Sequence, residues 1–171
     1  MKILADILSA TIIFAVPLLL VALGGMFSER SGVINIALEG IMIVGALCSC
    51  LMLRLFDSTG LGTCAPQLAM LLAILIAAAS GAIFSLLLAF ASINLKADQT
   101  IGGTALNMLA PAFAIVLTWS IQGQGQTTIL IPKWTRITQE TLGIAAKDTF
   151  LQNLIFKNFY LTTIVAFILL I

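Results

Sequence analysis

LLAILIAAASGAIFSLLLAFA, residues 71–91, decides the fold of this chain. The stretch holds no charged residue, and its apolar and polar residues do not alternate. It is as long as the roughly 20 apolar residues that a helix needs to cross a bilayer. Strands of a membrane barrel would alternate over segments of about ten residues. The stretch therefore predicts a membrane-spanning α-helix.

The rest of the chain has the same character. Of its 171 residues, 61% are hydrophobic and 9% are charged, against roughly 45–50% and about 25% in a soluble domain. Charged residues are absent from residues 7–28, 58–95 and 99–132. The composition predicts an integral membrane protein.

These apolar runs predict an all-α fold, a polytopic transmembrane helical bundle with four complete spans and a truncated fifth, forming one domain over residues 1–171. The predicted spans, in chain order, are residues 3–26, 33–55, 66–95, 100–121 and, truncated, 159–171. The last of these is shorter than the roughly 20 residues a span requires, so we expect the sequence to be a fragment. Residues 122–158 carry four of the eight basic residues and predict an extramembrane segment.

Several functional classes have no support in the sequence. A net charge of +1 with scattered basic residues gives no patch for nucleic acid. There is no histidine, and the three cysteines form no ligand cluster, so neither a metal site nor a catalytic constellation is expected. No GxxxxGK[ST] motif is present, so the chain is not expected to bind ATP or any other cofactor itself.

Polar residues stand out in residues 27–46, FSERSGVINIALEGIMIVGA. Asn35 and Glu39 are four residues apart, so on a continuous helix they share a face. A charge at the bilayer centre costs about 2.5–3.5 kcal/mol on insertion scales, which favours a face that meets protein or water. Glu39 therefore either lines a translocation path or lies near the interface, where its side chain extends toward the headgroups or pairs with Arg30. Glu29 and Arg30 are interpreted as boundary residues.

Small residues mark two further spans. In the third, Ala77, Gly81 and Ser85 recur every four residues, a stripe that lets another helix approach closely. In the fourth, Gly102 and Gly103 allow a close backbone approach or a break.

The start of the fourth span is also polar. Asp98 is a boundary residue expected to cap this helix. Thr104 and Asn107 follow inside the span, and Asn107 either hydrogen-bonds across helices or contacts substrate. Asn35, Glu39, Thr104 and Asn107 are the candidate path residues.

Two long motifs carry a resemblance to a known family. FSERSGVINIALEGIMIVGA and, at residues 94–114, NLKADQTIGGTALNMLAPAFA closely resemble the permease subunits of ABC importers for nucleosides and simple sugars. The likeness extends through essentially the whole chain. It implies a multi-pass subunit of the cytoplasmic membrane, in contact with lipid, that is not an enzyme and forms part of a pore.

The resemblance also implies partners and an orientation. The expected partners are a cytoplasmic ATP-binding subunit through which ATP acts, a second permease subunit, and a substrate-binding protein or lipoprotein. Residues 122–158 would be extracytoplasmic, although counting positive charges alone places them in the cytoplasm. Residues 28–32 and 94–99 would then be cytoplasmic.

Three alternatives stay open at this point. The chain could belong to an ion-coupled secondary transporter in which Glu39 is the proton-linked carboxylate. It could be a permease of an ABC importer for branched-chain amino acids. It could also be a membrane scaffold without transport.

Overall fold

The computed structural model describes residues 2–32 and 34–135, in which all regular structure is helical. The helices are α1 (Lys2–Arg30), α2 (Leu38–Ser58), α3 (Leu61–Cys64), α4 (Pro66–Ile93), α5 (Gln99–Gln122) and a 3₁₀-helix (Lys133–Thr135). Four stretches are long and apolar enough to cross a membrane, namely Asp6–Arg30 of α1 and the whole of α2, α4 and α5. The predicted all-α transmembrane fold is thereby confirmed for the described residues. The predicted fifth span, residues 159–171, lies outside them.

The chain divides into two compact units. The described residues of one unit are 2–24 and 133–135, which hold most of α1 and the 3₁₀-helix. The other contains residues 25–132, with the end of α1 and the helices α2 to α5. All the packing described below lies within the second unit.

The connection between α2 and α4 is short and contains the small helix α3. Gly60, the residue just before α3, has a φ of 76°, a left-handed conformation that glycine adopts without a steric penalty. Pro66 then occupies the first turn of α4, where its missing N–H has no helical partner to lose. α2 and α4 are thus joined as antiparallel neighbours.

Small residues set the register between α2 and α4. A Cβ atom added at Gly45 would lie 3.1 Å from the backbone oxygen of Ala77, and one at Gly81 would lie 3.2 Å from Cγ2 of Ile41. From Ile41 to Gly45 along α2, the residue contacted on α4 changes from Gly81 back to Ala77, as expected for antiparallel helices. Glycine and alanine allow these two backbones to approach closely, which is the usual basis of helix packing in lipid.

α5 packs on a different side of α2 and runs parallel to it. Gly103 lies against Ile36 and Ala37, and Gly40 lies against Leu106 and Asn107 one turn further along both chains. α5 also contacts α4, because a Cβ atom at Gly102 would lie 3.1 Å from Cδ1 of Leu88. α2, α4 and α5 therefore contact one another in all three pairs.

The interior of this bundle is built from small residues, and its outside is apolar. Ala37 and Ala110 have no exposed surface, whereas 79% of Met108 and 67% of Ile83 are exposed. In water such exposed apolar side chains would mark a binding surface. On helices of this length and composition, they are the groups that face lipid or another membrane helix.

Candidate functional site

The start of α2 departs from the sequence-based prediction. The predicted span begins at residue 33, but α2 begins at Leu38, and residues 34–37 form turns and irregular backbone. The Oδ1 atom of Asn35 accepts a hydrogen bond of 3.0 Å from the N–H of Ala37, a local contact that competes with helix formation. The prediction that Asn35 and Glu39 share one helical face is therefore wrong, because Asn35 precedes the helix.

Asn107 of α5 bridges the start of α2. Its Oδ1 atom accepts a hydrogen bond of 2.7 Å from the N–H of Gly40, and its Nδ2 atom donates one of 2.7 Å to the carbonyl of Ile36. The side chain is half-buried between the two helices. Of the two roles considered for Asn107, the structure places it in a hydrogen bond across helices.

Two glycines make this bridge possible. A Cβ atom at Gly40 would lie 2.9 Å from the backbone oxygen of Leu106, and one at Gly103 would lie 3.0 Å from Cβ of Ile36. The first distance leaves no room for a side chain and the second is very tight, so the backbone of α2 approaches that of α5 closely at Gly40, and Ile36 packs directly on Gly103. Gly40 was not among the candidates from the sequence, although it directly follows Glu39.

Glu39 and Thr104 emerge on the same side of the α2–α5 pair. Successive residues of an α-helix are rotated by about 100°. On α2, Gly40 faces α5 and Ile41 faces α4, so Glu39 points away from α4. On α5, Gly103 faces α2 and Gly102 faces α4, so Thr104 also points away from α4.

We call this surface the outer face, and define it by Glu39, Ile43 and Ala46 of α2 and Thr104 of α5. Ile43 and Ala46 follow Glu39 at helical spacings of four and seven residues. Glu39, Ala46 and Thr104 are exposed, and Ile43 is half-buried. The outer face brings together two of the four candidate path residues.

The polar groups of the outer face differ in what they can still bind. Glu39 makes no hydrogen bond or ion pair within the described part of the chain, so the alternative of a Glu39–Arg30 pair is not observed there. The Thr104 hydroxyl donates to backbone carbonyls of its own helix, at 2.9 Å to Ile101 and 3.1 Å to Thr100. It can therefore accept a hydrogen bond from a solute, and the Glu39 carboxyl is open to contact.

The residues predicted to pack helices lie along α4 and at the start of α5. Gly81 is buried against Ile41, and the backbone carbonyl of Ala77 packs against Gly45. Ser85 is half-buried, with its hydroxyl donating to Ala82 at 2.7 Å. Gly45 is an additional close-packed glycine that the sequence stripe on α4 did not point to, since its own helix shows no glycine repeat.

The predicted boundary residues lie at helix ends. Glu29 and Arg30 are exposed in the last turn of α1. The side chain of Asp98 accepts a hydrogen bond of 2.7 Å from the N–H of Thr100, the N-cap contact that the sequence predicts for α5. Because this bond and that from the Thr100 side chain favour the carboxylate, the pKa of Asp98 is held below its ordinary value.

No cluster of His, Cys, Asp or Glu able to hold a metal ion is found in residues 2–32 and 34–135. The three cysteines are free thiols. The polar side-chain groups of the four candidate path residues are one carboxyl, two amides and one hydroxyl.

The fold and the outer face define a multi-pass membrane protein in which two packed helices, α2 and α5, share one weakly polar surface. The chain belongs to the family described as branched-chain amino acid transport system / permease component, whose model matches residues 7–171. This is a family of transport permeases, as the resemblance in the sequence implied.

Two curated relatives are similar to this chain over much of its length. It is 43% identical over 165 residues to the guanosine ABC transporter permease protein NupQ of Bacillus subtilis, covering 96% of this chain and 49% of the relative. It is 41% identical over 123 residues to the nucleoside ABC transporter permease protein NupC of Lactococcus lactis, covering 72% of this chain and 37% of the relative. The chain thus spans half or less of the length of these relatives. No solved structure matches it significantly.

Proposed function

We propose that this chain is part of a permease of an ABC importer for nucleosides, and that the outer face lines its translocation path. The observation that carries the proposal is Glu39, an exposed carboxyl on a membrane-spanning helix with no partner in the described part of the chain. An ionisable group within a membrane span ordinarily faces a bundle interior or a water-filled cavity. The path therefore lies on the side of α2 and α5 away from α4.

The chemistry of the outer face suits a neutral, hydrogen-bonding solute. Thr104 offers a hydroxyl oxygen and Glu39 a carboxyl, and Ala46 adds a small side chain two turns further along α2. Nucleosides carry both hydroxyl and base N–H donors that such acceptors can bind. A path that binds each solute weakly lets it leave again, which transport requires.

The names of the similar proteins support a nucleoside as the solute. The two curated relatives are described as guanosine and nucleoside permeases. The family description, by contrast, names branched-chain amino acids, so an amino acid remains the second candidate. A simple sugar, which shares the hydroxyl groups of a nucleoside, is the third.

The proposal includes three partners. A cytoplasmic ATP-binding subunit would supply the energy, since the sequence has no ATP-binding loop of the GxxxxGK[ST] type. A second permease subunit would complete the path, and a substrate-binding protein or lipoprotein would deliver the solute. In this arrangement ATP acts only through the partner.

Uptake of radiolabelled guanosine by cells with and without the complete permease gene tests the substrate. We expect uptake that requires the gene and is inhibited by unlabelled adenosine or uridine, but not by ribose or leucine. Inhibition by leucine alone would support an amino-acid permease instead. Unchanged uptake after deletion of the gene would support the scaffold alternative.

The energy source needs a separate experiment. We expect uptake to persist when a protonophore collapses the proton gradient while ATP is maintained, and to stop when the partner ATPase is inactivated. The opposite result would favour an ion-coupled transporter that uses Glu39.

A further inference from the structure

We propose that Asn107 is a positioning residue that sets where α2 begins, because its side chain replaces one hydrogen bond of the helical ladder. In an α-helix the N–H of each residue bonds to the carbonyl four residues earlier. The bond that would extend α2 toward α1 therefore joins the N–H of Gly40 to the carbonyl of Ile36. Asn107 occupies both of these groups, at 2.7 Å each.

The match is chemical as well as geometric. A carboxamide has one carbonyl acceptor and an N–H donor, like a peptide group, so a single Asn side chain can satisfy both ends of the interrupted bond. The first helical bond that remains joins the N–H of Ile41 to the carbonyl of Ala37 at 2.9 Å. The regular hydrogen bonds of α2 thus begin directly after the one that the Asn107 amide replaces.

The break lies inside the bundle, where unpaired backbone groups are costly. The contacts of Ile41 with Gly81 and of Gly45 with Ala77 fix the register of α2 on α4. Continued by one turn, this register puts Ala37 at the level of Ser85, about 12 Å from the end of α4. Ala37 has no exposed surface. Irregular backbone at membrane depth needs partners from the protein or from water, and Asn107 supplies them.

The consequence for function concerns Glu39. This residue lies between the two backbone groups that Asn107 holds apart, so the inserted amide fixes the turn from which its side chain emerges. If Gly40 bonded directly to Ile36, residues 34–37 would join the helix and Asn35 would move onto the face of Glu39. Only this last link, from Asn107 to the path, rests on the proposed function.

Hydrogen exchange measured by mass spectrometry on the complete permease in lipid nanodiscs tests the inference. In Asn107→Leu, which has a similar size but no hydrogen-bonding group, we expect Gly40 to bond to Ile36 directly. As residues 34–37 join the helix, the N–H of Leu38 gains the carbonyl of Ile34 and that of Glu39 gains the carbonyl of Asn35. These two amides should then exchange at least about fivefold more slowly, while that of Gly40 stays protected. Unchanged exchange at Leu38 and Glu39, or faster exchange at Gly40, would overturn the proposal.

Two controls keep the result interpretable. Asn94→Leu makes the same replacement at an exposed position at the end of α4, and should leave the exchange of residues 38–40 as in the wild type. Asn107→Ala should reproduce the effect if leucine does not fit. Protection of residues 71–91 in α4 reports whether the bundle is intact, and its loss in both variants would show that Asn107 holds the whole bundle rather than the start of α2. Exchange does not depend on transport, so this inference and the proposed function can fail separately.

Discussion

Gly45 of α2 lies against the backbone carbonyl of Ala77 on α4, at a distance that leaves little room for a side chain. A Cβ atom at Gly45 would be 3.1 Å from that oxygen. The obstacle is backbone rather than a flexible side chain, so α4 would have to move to accommodate a larger group. The absence of a side chain at Gly45 thus allows the two helices to lie this close at this level of the bundle.

Gly45→Leu is expected to weaken the packing of α2 on α4. Inserting a large side chain into a close-packed contact typically costs about 1–3 kcal/mol. Thermal unfolding of the purified protein in detergent should show a lower midpoint than the wild type. Ala79→Leu is the matched control, since Ala79 is exposed and lies half a turn away from Ala77 and Gly81. Equal midpoints for the two variants would contradict the proposed contact.

Gly40→Ala is expected to separate α2 from α5. The added Cβ atom would lie 2.9 Å from the carbonyl oxygen of Leu106 and 3.0 Å from Oδ1 of Asn107. We expect a loss of about 1–3 kcal/mol in the free energy of unfolding. At Gly24, in contrast, nothing lies within 4 Å of an added Cβ atom. Gly24→Ala should therefore be neutral, or stabilising by up to about 1 kcal/mol, and a destabilised Gly24→Ala would show that the assay does not report packing.

Glu39→Gln in the complete permease is expected to lower nucleoside uptake while insertion into the membrane is preserved. The substitution keeps the size of the side chain and removes its capacity for charge. A loss of about tenfold in the initial rate, corresponding to about 1.4 kcal/mol, is expected. Uptake by membrane vesicles, normalised to the amount of inserted protein, measures it.

Glu29→Gln provides the comparison for that experiment. It makes the same chemical change at an exposed residue in the last turn of α1. Its uptake should match that of the wild type. Wild-type uptake by Glu39→Gln would remove Glu39 from the path, and an equal loss in both variants would point to a general effect of removing a carboxyl group.

Asp98 is expected to make the stability of α5 depend on pH in the acidic range only. Its carboxylate accepts hydrogen bonds from Thr100, which keeps its pKa below the ordinary value in the folded protein. The unfolded chain therefore binds a proton at a higher pH than the folded one. The stabilisation is complete above the unfolded pKa and is lost as the pH falls through the folded pKa.

Unfolding of Asp98→Asn and Asp98→Ala between neutral and acidic pH measures this contribution. Asparagine also caps helices well, so Asp98→Asn should keep much of the stability at neutral pH but lose this part of the acid dependence. Asp98→Ala should be less stable already at neutral pH. An unchanged acid dependence in both variants would rule out Asp98 as its source.

Local features of the sequence were sufficient for much of this fold. The apolar runs predicted the long helices, Pro66 marked the first turn of α4, and Asp98 marked the cap of α5. Each of these features affects only residues close to it in the sequence, through hydrophobic burial, the missing proline N–H or a short side-chain hydrogen bond. Such signals can be interpreted without knowing which helices meet.

The start of α2 could not be predicted in this way. Residues 34–37 are compatible with a helix by composition, but the amide of Asn107, 67 positions further along the chain from Gly40, occupies the N–H of Gly40 and the carbonyl of Ile36. The shared orientation of Glu39 and Thr104 likewise depends on how α2 and α5 pack. The sequence identified the polar residues of the site, but their arrangement follows from contacts between helices.

The parallel packing of α2 and α5 also has an electrostatic consequence. Each helix carries a partial positive charge of about half an elementary charge at its N-terminus, and the two N-termini lie at the same end of the bundle. An acidic residue stands at each of them, Glu39 in the first turn of α2 and Asp98 at the cap of α5. At the opposite end, neither helix has a basic residue in its last turn. Acidic side chains therefore offset the positive ends of this helix pair, whereas at the opposite end the antiparallel α4 places its own positive N-terminus beside the C-terminus of α2.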